Sequence, residues 1–157
     1  MSKVKLDIYN FKSLHAEILN IIDGDTLDLL IDYGVCIITQ RARLLGVDAP
    51  EKTGWSRHEG QLAKTVIETL LPVGSVVTVN SYGKDMYGRL LCRIIVSKFD
   101  LSEFLIDNKV CNIYKIKGKR KWTREELDIS ANASIKILNS QSIKYEEYGN
   151  VQCQEHQ

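Results

Sequence analysis

The order of the predicted elements favours a mixed α+β domain built on a five-stranded barrel of the OB type, with about three helices. A three-stranded meander comes first, one amphipathic helix separates it from a two-stranded hairpin, and further helices follow the hairpin. This is the element order of an OB-type barrel. Because such barrels serve many purposes, the function has to be inferred from the site residues.

The meander is predicted from composition and from alternation. Three segments are rich in β-branched and apolar residues and are separated by turn residues, namely residues 14–22, 26–31 and 33–47. In the third segment Arg41 and Arg43 share one face by the two-residue period, while Ala42 and Leu44 share the other. We therefore expect this strand to have one polar and one buried face.

The spacing of apolar residues predicts the helix, and two glycines indicate the loop of the hairpin. Apolar residues recur at helical spacing over residues 61–71, and Pro72 and Gly74 end the pattern. Residues 75–97 predict two strands joined by a loop between Gly83 and Gly88, where glycine permits a positive φ.

Two further helices are predicted after the hairpin. Ser102 is the expected N-cap of a helix over residues 101–110. Thr123 and Glu126 have the spacing of a capping box at the start of another helix, over residues 123–138. These helices complete the predicted set of three.

Length and composition indicate one ordinary domain. The chain has 157 residues, of which 44% are hydrophobic and 26% charged, and its net charge is +1. We expect an N-terminal extension over residues 1–13, the barrel domain over residues 14–138 and a polar, mobile tail over residues 139–157. Residues 115–124 read KIKGKRKWTR, so any basic surface should be local, with a solvated linker as the alternative.

The cysteine spacing and the length of the apolar runs indicate where in the cell the protein is expected. Cys36, Cys92, Cys111 and Cys153 show no CxxC spacing and no neighbouring histidine, which indicates neither a zinc site nor a disulfide framework. The first three lie in hydrophobic runs, so we expect buried free thiols. No secretory core is visible, and no apolar run reaches the ~18 residues that cross a bilayer. We expect a cytoplasmic monomer without a membrane partner.

Three short motifs carry the charged residues that can perform chemistry. They are DGDT at residues 23–26, RLLGVDAPE at residues 43–51 and DMYGR at residues 85–89. Carboxylates bind a hard cation such as calcium, and arginines present a planar fork that matches phosphate oxygens. Phosphodiester hydrolysis needs both kinds of group, together with a positioned water. Each motif alone is also compatible with a turn or with surface charge.

In this order and spacing the motifs resemble the three signature segments of the staphylococcal nuclease (thermonuclease) family. The resemblance runs from about Ile18 to Tyr114. It implies a calcium-dependent nuclease that hydrolyses DNA, with RNA left open as a second substrate. It further implies little sequence preference and 3'-phosphate products.

The resemblance also implies which residues hold the metal ion. Asp25 and Asp48 would ligate calcium through their side chains, and Ala49 would do so through its backbone carbonyl. Asp23 matches a nearby carboxylate that shapes the pocket and its charge. Gly24 is expected to let the chain bend between the two aspartates of DGDT.

The remaining matched residues are assigned to catalysis and to substrate binding. Glu51 matches the glutamate that positions or deprotonates the attacking water, and Arg43 and Arg89 match the two arginines that hold the phosphate. Tyr87 matches a tyrosine near the nucleotide. Lys115 fills the nearest place to a second substrate-stacking tyrosine.

Two alternatives to a nuclease are considered. The first is a non-catalytic nucleic-acid or protein binding module of the same fold, but such copies typically lose the acids and arginines that this chain retains. The second is a plain OB-fold that binds single strands, for which a row of exposed aromatic residues is expected. Aromatic residues make up 8% of the chain and form no clear row.

Overall fold

The computed structural model describes residues 10–97, 99–115 and 121–152, with side chains through residue 140. The strands are β1 Leu14–Asp23, β2 Thr26–Asp32, β3 Ile37–Leu44, β4 Val47–Asp48, β5 Val76–Lys84, β6 Leu90–Val96, β7 Phe99–Asp100 and β8 Asn112–Ile113. The helices are α1 Arg57–Leu70, α2 Leu101–Asp107 and α3 Arg124–Gln152, and a short 3₁₀ turn, Gly54–Ser56, precedes α1.

Five strands close into a barrel. The hydrogen-bonded order is β3-β2-β1-β5-β6, and a parallel pairing between β3 and β6 closes the ring. Strand β7 pairs antiparallel with β6, and β4 and β8 form a separate two-stranded sheet. The predicted five-stranded OB-type barrel with three helices is confirmed.

The alternation of side chains explains why these segments form barrel strands. In β2, Leu27, Leu29 and Ile31 point inward and are fully buried, whereas Asp28 between them lies on the outer surface. In β3 the inward residues include Ala42 and Leu44, which are fully buried. The predicted polar and buried faces of β3 are therefore present, and the arginines of this strand face outward.

The starts of α2 and α3 test the predicted caps. The capping box of α3 is confirmed, because the Glu126 N–H donates to Thr123 Oγ1 at 3.2 Å and the Thr123 N–H donates to Glu126 Oε2 at 2.9 Å. The predicted cap of α2 is wrong. Asp100, not Ser102, accepts the N–H of Ser102 at 2.8 Å and the N–H of Glu103 at 3.2 Å. The Ser102 side chain is buried instead.

Two other expectations can be compared with the described residues. Cys92 and Cys111 are buried free thiols, but Cys36 is exposed because it lies in the loop between β2 and β3; Cys153 and residues 1–9 lie outside the described residues. Helix α3 continues past Asn139 to Gln152, whereas a tail was expected there, and the mobility of that segment stays a prediction. No helix in the described part of the chain is long and apolar enough to cross a membrane.

Candidate active site

Asp25 occupies the two-residue turn between β1 and β2. Its Oδ1 accepts the Thr26 hydroxyl at 2.9 Å, and its Oδ2 accepts the Ala49 N–H at 3.2 Å. Its backbone carbonyl accepts the Leu44 N–H at 2.9 Å. One residue thus ties the turn both to the end of β3 and to the segment that follows β4.

Gly24, beside Asp25, is required by close packing. A Cβ at this position would lie 2.8 Å from the Cβ of Ala49 and 3.0 Å from the Cβ of Ala63 in α1. Gly24 does not have a positive φ, although it lies in the turn as expected. The missing side chain lets α1 and the Ala49 segment approach the metal-ligand candidates.

Asp48 lies in the segment that Asp25 contacts. It belongs to β4, where it pairs with Asn112 of β8, and it directly precedes Ala49, whose N–H donates to Asp25. The Cys111 thiol next to Asn112 is buried, and its Sγ lies 3.9 Å from the Gly24 carbonyl oxygen. Burial raises the pKa of the Cys111 thiol well above its usual value, and the negative charges of Asp25 and Asp48 raise this pKa further. The β4 segment and the turn between β1 and β2 are therefore in contact.

Arg43 is held against this carboxylate region from β3. Its Nη2 donates to the Val47 carbonyl at 2.9 Å and lies 3.6 Å from Oδ2 of Asp25. Its guanidinium carbon lies 4.7 Å from the ring centroid of Tyr114, a cation–π distance. The side chain is only 12% exposed. The guanidinium group is therefore fixed beside a proposed metal ligand.

Arg89 is fixed by a neighbour to which sequence reasoning assigned no role. Its Nε donates to Oδ2 of Asp85 at 2.6 Å, and the N–H groups of Tyr87 and Arg89 each donate to Oδ1 at 2.9 Å. Burial acts to raise the pKa of Asp85, but the hydrogen bonds from Arg89 and Tyr87 and the charge of Arg89 outweigh it, so the pKa is lower than usual. An aspartate that accepts backbone N–H groups two and four residues ahead is a recognisable turn signal.

The two arginines have neighbouring positions in the barrel. Arg43 in β3 pairs in parallel with Leu91 in β6, and Arg89 precedes Leu91 by two residues, just before β6 begins at Leu90. Two extended residues span roughly 7 Å, so the backbones of Arg43 and Arg89 lie close to each other.

Glu51 is positioned through its backbone. Its carbonyl accepts the Ser56 hydroxyl at 3.0 Å, and a Cβ on Gly60 would lie 2.4 Å from the same oxygen. Lys52, the next residue, has its Nζ 3.5 Å from Oδ1 of Asp23. The Glu51 side chain is exposed and, within the described chain, contacts none of the other candidate residues.

Tyr87, Tyr114 and Lys115 are accessible around the arginines. Tyr87 is 78% exposed, and its ring centroid lies 5.4 Å from the guanidinium carbon of Arg89. Lys115 is exposed and follows Tyr114, but no contact joins it to the other candidates among the residues that the structure describes. Sequence reasoning missed Tyr114, because its contact with Arg43 depends on a pairing between distant segments.

The oxygen atoms in this region suit a hard cation. Within residues 10–97, 99–115 and 121–152, no three His, Cys, Asp or Glu side chains form a metal-binding group by themselves. Asp25, Asp48 and the carbonyl of Ala49 supply only oxygen donors, which calcium prefers. Each oxygen of Asp25 accepts one bond, and a carboxylate has about four lone-pair sites. The donor set therefore fits a cation that keeps several water or substrate ligands.

Three curated proteins are similar in sequence to parts of this chain. A protein named "Uncharacterized endonuclease" from Escherichia coli O157:H7 is 26% identical over 113 residues, which are 72% of this chain and 63% of that protein. A protein of the same name from Escherichia coli gives the same values. "Protein ParB" from Escherichia coli is 34% identical over 84 residues, 54% of this chain and 43% of that protein. The chain spans less than two thirds of the length of these relatives.

The family comparison covers most of the charged site. The match to the family described as "Staphylococcal nuclease homologue" extends over residues 41–136. It includes Arg43, Asp48, Glu51 and Arg89, and it begins after Asp25. Because the match covers more than half of the chain and contains these four charged residues, the chain belongs to the staphylococcal nuclease homologue family.

Proposed function

We propose that the chain is a calcium-dependent nuclease that hydrolyses phosphodiester bonds of DNA with little sequence preference and leaves 3'-phosphate ends. RNA is left open as a second substrate. The proposal includes a cytoplasmic location and a monomeric state, as expected from the sequence. Membership of the nuclease family and the names of two relatives support the reaction class.

One observation carries the proposal furthest. The Arg43 guanidinium lies 3.6 Å from the Asp25 carboxylate, and Asp25 accepts the N–H of Ala49, the residue that follows Asp48. A phosphate bound at this point would meet a planar cationic donor and, through a bound cation, two carboxylates. This combination suits a pentacoordinate phosphate, on which negative charge accumulates.

The arginines would bind the phosphate oxygens. Arg43 is oriented by the Val47 carbonyl and by Asp25, and Arg89 is oriented by Asp85. Since each guanidinium has five N–H donors, these contacts leave further donors for phosphate. Both groups are held before the substrate arrives, so little reorganisation is needed when charge develops.

Asp25, Asp48 and the Ala49 carbonyl would hold the calcium ion. When bound, calcium supplies positive charge to a phosphate oxygen and helps to orient the substrate. The hydrogen bonds from Thr26 and Ala49 hold the Asp25 carboxylate in a fixed orientation. The chain's own contribution is therefore a preformed set of oxygen ligands.

Glu51 would accept a proton from the attacking water. Its carboxylate is exposed, so water reaches it, and its backbone is fixed by Ser56 and by the close approach of Gly60. A base whose main chain is fixed and whose side chain can turn is able to meet water beside a bound phosphate.

Digestion of supercoiled plasmid tests the proposal. The purified protein should convert supercoiled DNA to nicked and linear forms with calcium, lose this activity in excess chelator and recover it when calcium is returned. Phosphatase-sensitive 3' ends on the products would support the proposed cleavage position. Unchanged cleavage in excess chelator, or a strict requirement for zinc, would contradict the proposed site.

A non-catalytic nucleic-acid binding module is the second candidate. The observation in its favour is that the Glu51 side chain contacts none of the other candidate residues in the part of the chain that the structure describes. Binding of DNA without cleavage at any calcium concentration would favour this module over the nuclease.

A further inference from the structure

A third arginine, Arg41, lies on the same outer face of β3 as Arg43. Arg41 precedes Arg43 by two residues in β3, so both side chains leave the barrel on the same side. The parallel register pairs Ala42 with Leu90, which places Arg41 next to the position of Arg89. Arg41 is also the most accessible of the three, with its side chain 54% exposed.

Asp28 of β2 fixes the plane of the Arg41 guanidinium. Arg41 Nε donates to Oδ1 of Asp28 at 2.8 Å, and its Nη2 donates to Oδ2 at 3.1 Å. This two-point contact uses two of the five N–H donors and leaves the others for a second anion.

Arg41 lies on the face where an extended nucleic-acid strand would bind. In OB barrels the outer face of the second and third strands binds oligonucleotides. Arg41 and Arg43 are separated by two strand residues, roughly 7 Å, a spacing comparable to that of successive phosphates in a stretched chain. With one phosphate at Arg43, the next phosphate of the same strand would reach Arg41.

A purely structural role explains less of the geometry. An exposed ion pair between neighbouring strands contributes little to stability, because its charges are solvated. β2 and β3 are already joined by continuous antiparallel pairing from Thr26–Arg43 to Asp32–Ile37. The contact between Arg41 and Asp28 is therefore not needed to hold the strands together, yet it orients a cationic group outward.

We propose that Arg41 forms a subsite for the phosphate adjacent to the one that is cleaved, on a nucleic-acid strand lying across the outer face of β2 and β3. This inference rests on the proposed function for the location of the first phosphate. Asp28 positions the guanidinium and lowers the local charge when no strand is bound. The subsite gives the protein a preference for substrates longer than a dinucleotide.

The first test compares substrates of different length. For the wild type and Arg41→Ala, kcat/KM is measured on a dinucleotide with a single phosphodiester bond and on a short oligonucleotide. Arg41→Ala should lose roughly 3-fold to 10-fold on the oligonucleotide, the effect of one phosphate contact, and remain unchanged on the dinucleotide. Equal losses on both substrates, or no loss on either, would overturn the subsite.

Equilibrium binding is the second test, and it needs no turnover. Affinity for a labelled single-stranded oligonucleotide is measured against salt concentration in the presence of chelator. For Arg41→Ala the slope of log affinity against log salt should fall in magnitude by about 0.7, the value for one neutralised phosphate on a single strand. An unchanged slope, or a wild type with no measurable affinity in this assay, would contradict the inference.

Lys136→Ala is the matched control. It removes one positive charge from the exposed side of α3, a helix that packs against α1 rather than against β2 or β3. Its slope and its length dependence should equal those of the wild type. If the wild type binds and Arg41→Ala shows the reduced slope while neither protein cleaves, the subsite stands and the nuclease proposal fails. If the wild type cleaves and Arg41→Ala shows the wild-type slope, the subsite fails and the nuclease stands.

Discussion

Nη2 of Arg43 lies 3.6 Å from Oδ2 of Asp25, so a proposed phosphate donor and a proposed metal ligand compensate each other's charge before any substrate binds. Both side chains are mostly buried, which strengthens this interaction relative to a surface pair. The Val47 carbonyl and the Ala49 N–H fix the two groups from the other side. Loss of one partner would therefore disturb the orientation of the other.

Replacement of either arginine by lysine should impair turnover. Arg43→Lys and Arg89→Lys keep a positive charge but lose the planar fork, so each should reduce kcat by at least ~10-fold and up to ~1000-fold. Steady-state kinetics on a defined oligonucleotide measures this loss. Wild-type rates in both variants would show that charge alone suffices and would refute the shared phosphate clamp.

Arg93→Lys is the control for this pair of variants. Like Arg89, Arg93 has an ion pair, because its Nη1 lies 2.8 Å from Oδ2 of Asp100. It lies inside β6, four residues after Arg89 in the sequence, and we assign it no phosphate. Arg93→Lys should retain activity within about 2-fold, because lysine keeps the charge opposite Asp100 and no phosphate is assigned to Arg93.

Glu51→Gln should separate binding from chemistry. The amide keeps the shape of the side chain but cannot accept a proton, so kcat should fall by about 10²-fold to 10⁴-fold while oligonucleotide affinity is retained. Single-turnover hydrolysis and binding titrations measure the two effects. Glu68→Gln, on the exposed side of α1, should leave both unchanged. A Glu51→Gln protein as fast as the wild type would exclude Glu51 as the base.

Gly60→Ala should displace the backbone of Glu51. The added methyl would lie 2.4 Å from the Glu51 carbonyl oxygen, and a backbone atom cannot swing aside as a side chain can. We expect a loss of about 1–2 kcal/mol in unfolding free energy, since overpacking opposes the gain in helix propensity. Turnover should fall roughly 10-fold to 100-fold because the base is misplaced.

Urea unfolding and kinetics on two variants of α1 measure this effect. Gln61→Ala places an alanine at the next position, on the exposed surface, and should be close to wild type in both measurements. A Gly60→Ala protein that is both more stable and fully active would mean that the Glu51 segment moves without cost.

Asp85 should make the hairpin loop sensitive to acid. Its folded pKa is lowered, so its stabilising effect is complete above the unfolded pKa of about 4 and is lost as the pH falls through the folded value. The difference in unfolding free energy between wild type and Asp85→Asn should therefore be constant from about pH 7 to about pH 5 and shrink below about pH 4. A difference that stays the same at lower pH would show that the Asp85 charge does not stabilise the loop.

Local patterns predicted the barrel strands and the helices, but not every contact between them. Alternation identified β1, β2, β3, β5 and β6, and the capping box identified the start of α3. The two-residue strands β4 and β8 are too short to give a periodic signal. Asp100 was missed as a cap because it is the last residue of a short strand, β7, that was not predicted. A tail was expected after residue 138 because the segment is polar. Composition alone does not show that helix α3 continues beyond Asn139.

The candidate site was predicted as a set of residues rather than as an arrangement. Motif spacing identified Asp25, Asp48 and Arg43. Their proximity depends on the register that pairs Thr26 with Arg43 and on the hydrogen bond from Ala49 to Asp25, which motif spacing does not give. The contact of Tyr114 with Arg43 was not predictable, because it follows from the pairing of β4 with β8 across many residues. Lys115 was placed by motif position alone, and the roles of all these residues stay predictions.

The dependence of DNA cleavage on calcium concentration tests the central claim most directly, namely that Asp25 and Asp48 hold a calcium ion beside Arg43. Cleavage of supercoiled plasmid is followed during calcium titration of wild type, Asp25→Asn, Asp48→Asn and the surface control Asp107→Asn. Each site variant loses one carboxylate ligand, so it should need at least about 10-fold more calcium or show no cleavage, whereas Asp107→Asn should follow the wild type. Wild-type calcium dependence in both Asp25→Asn and Asp48→Asn would contradict the claim.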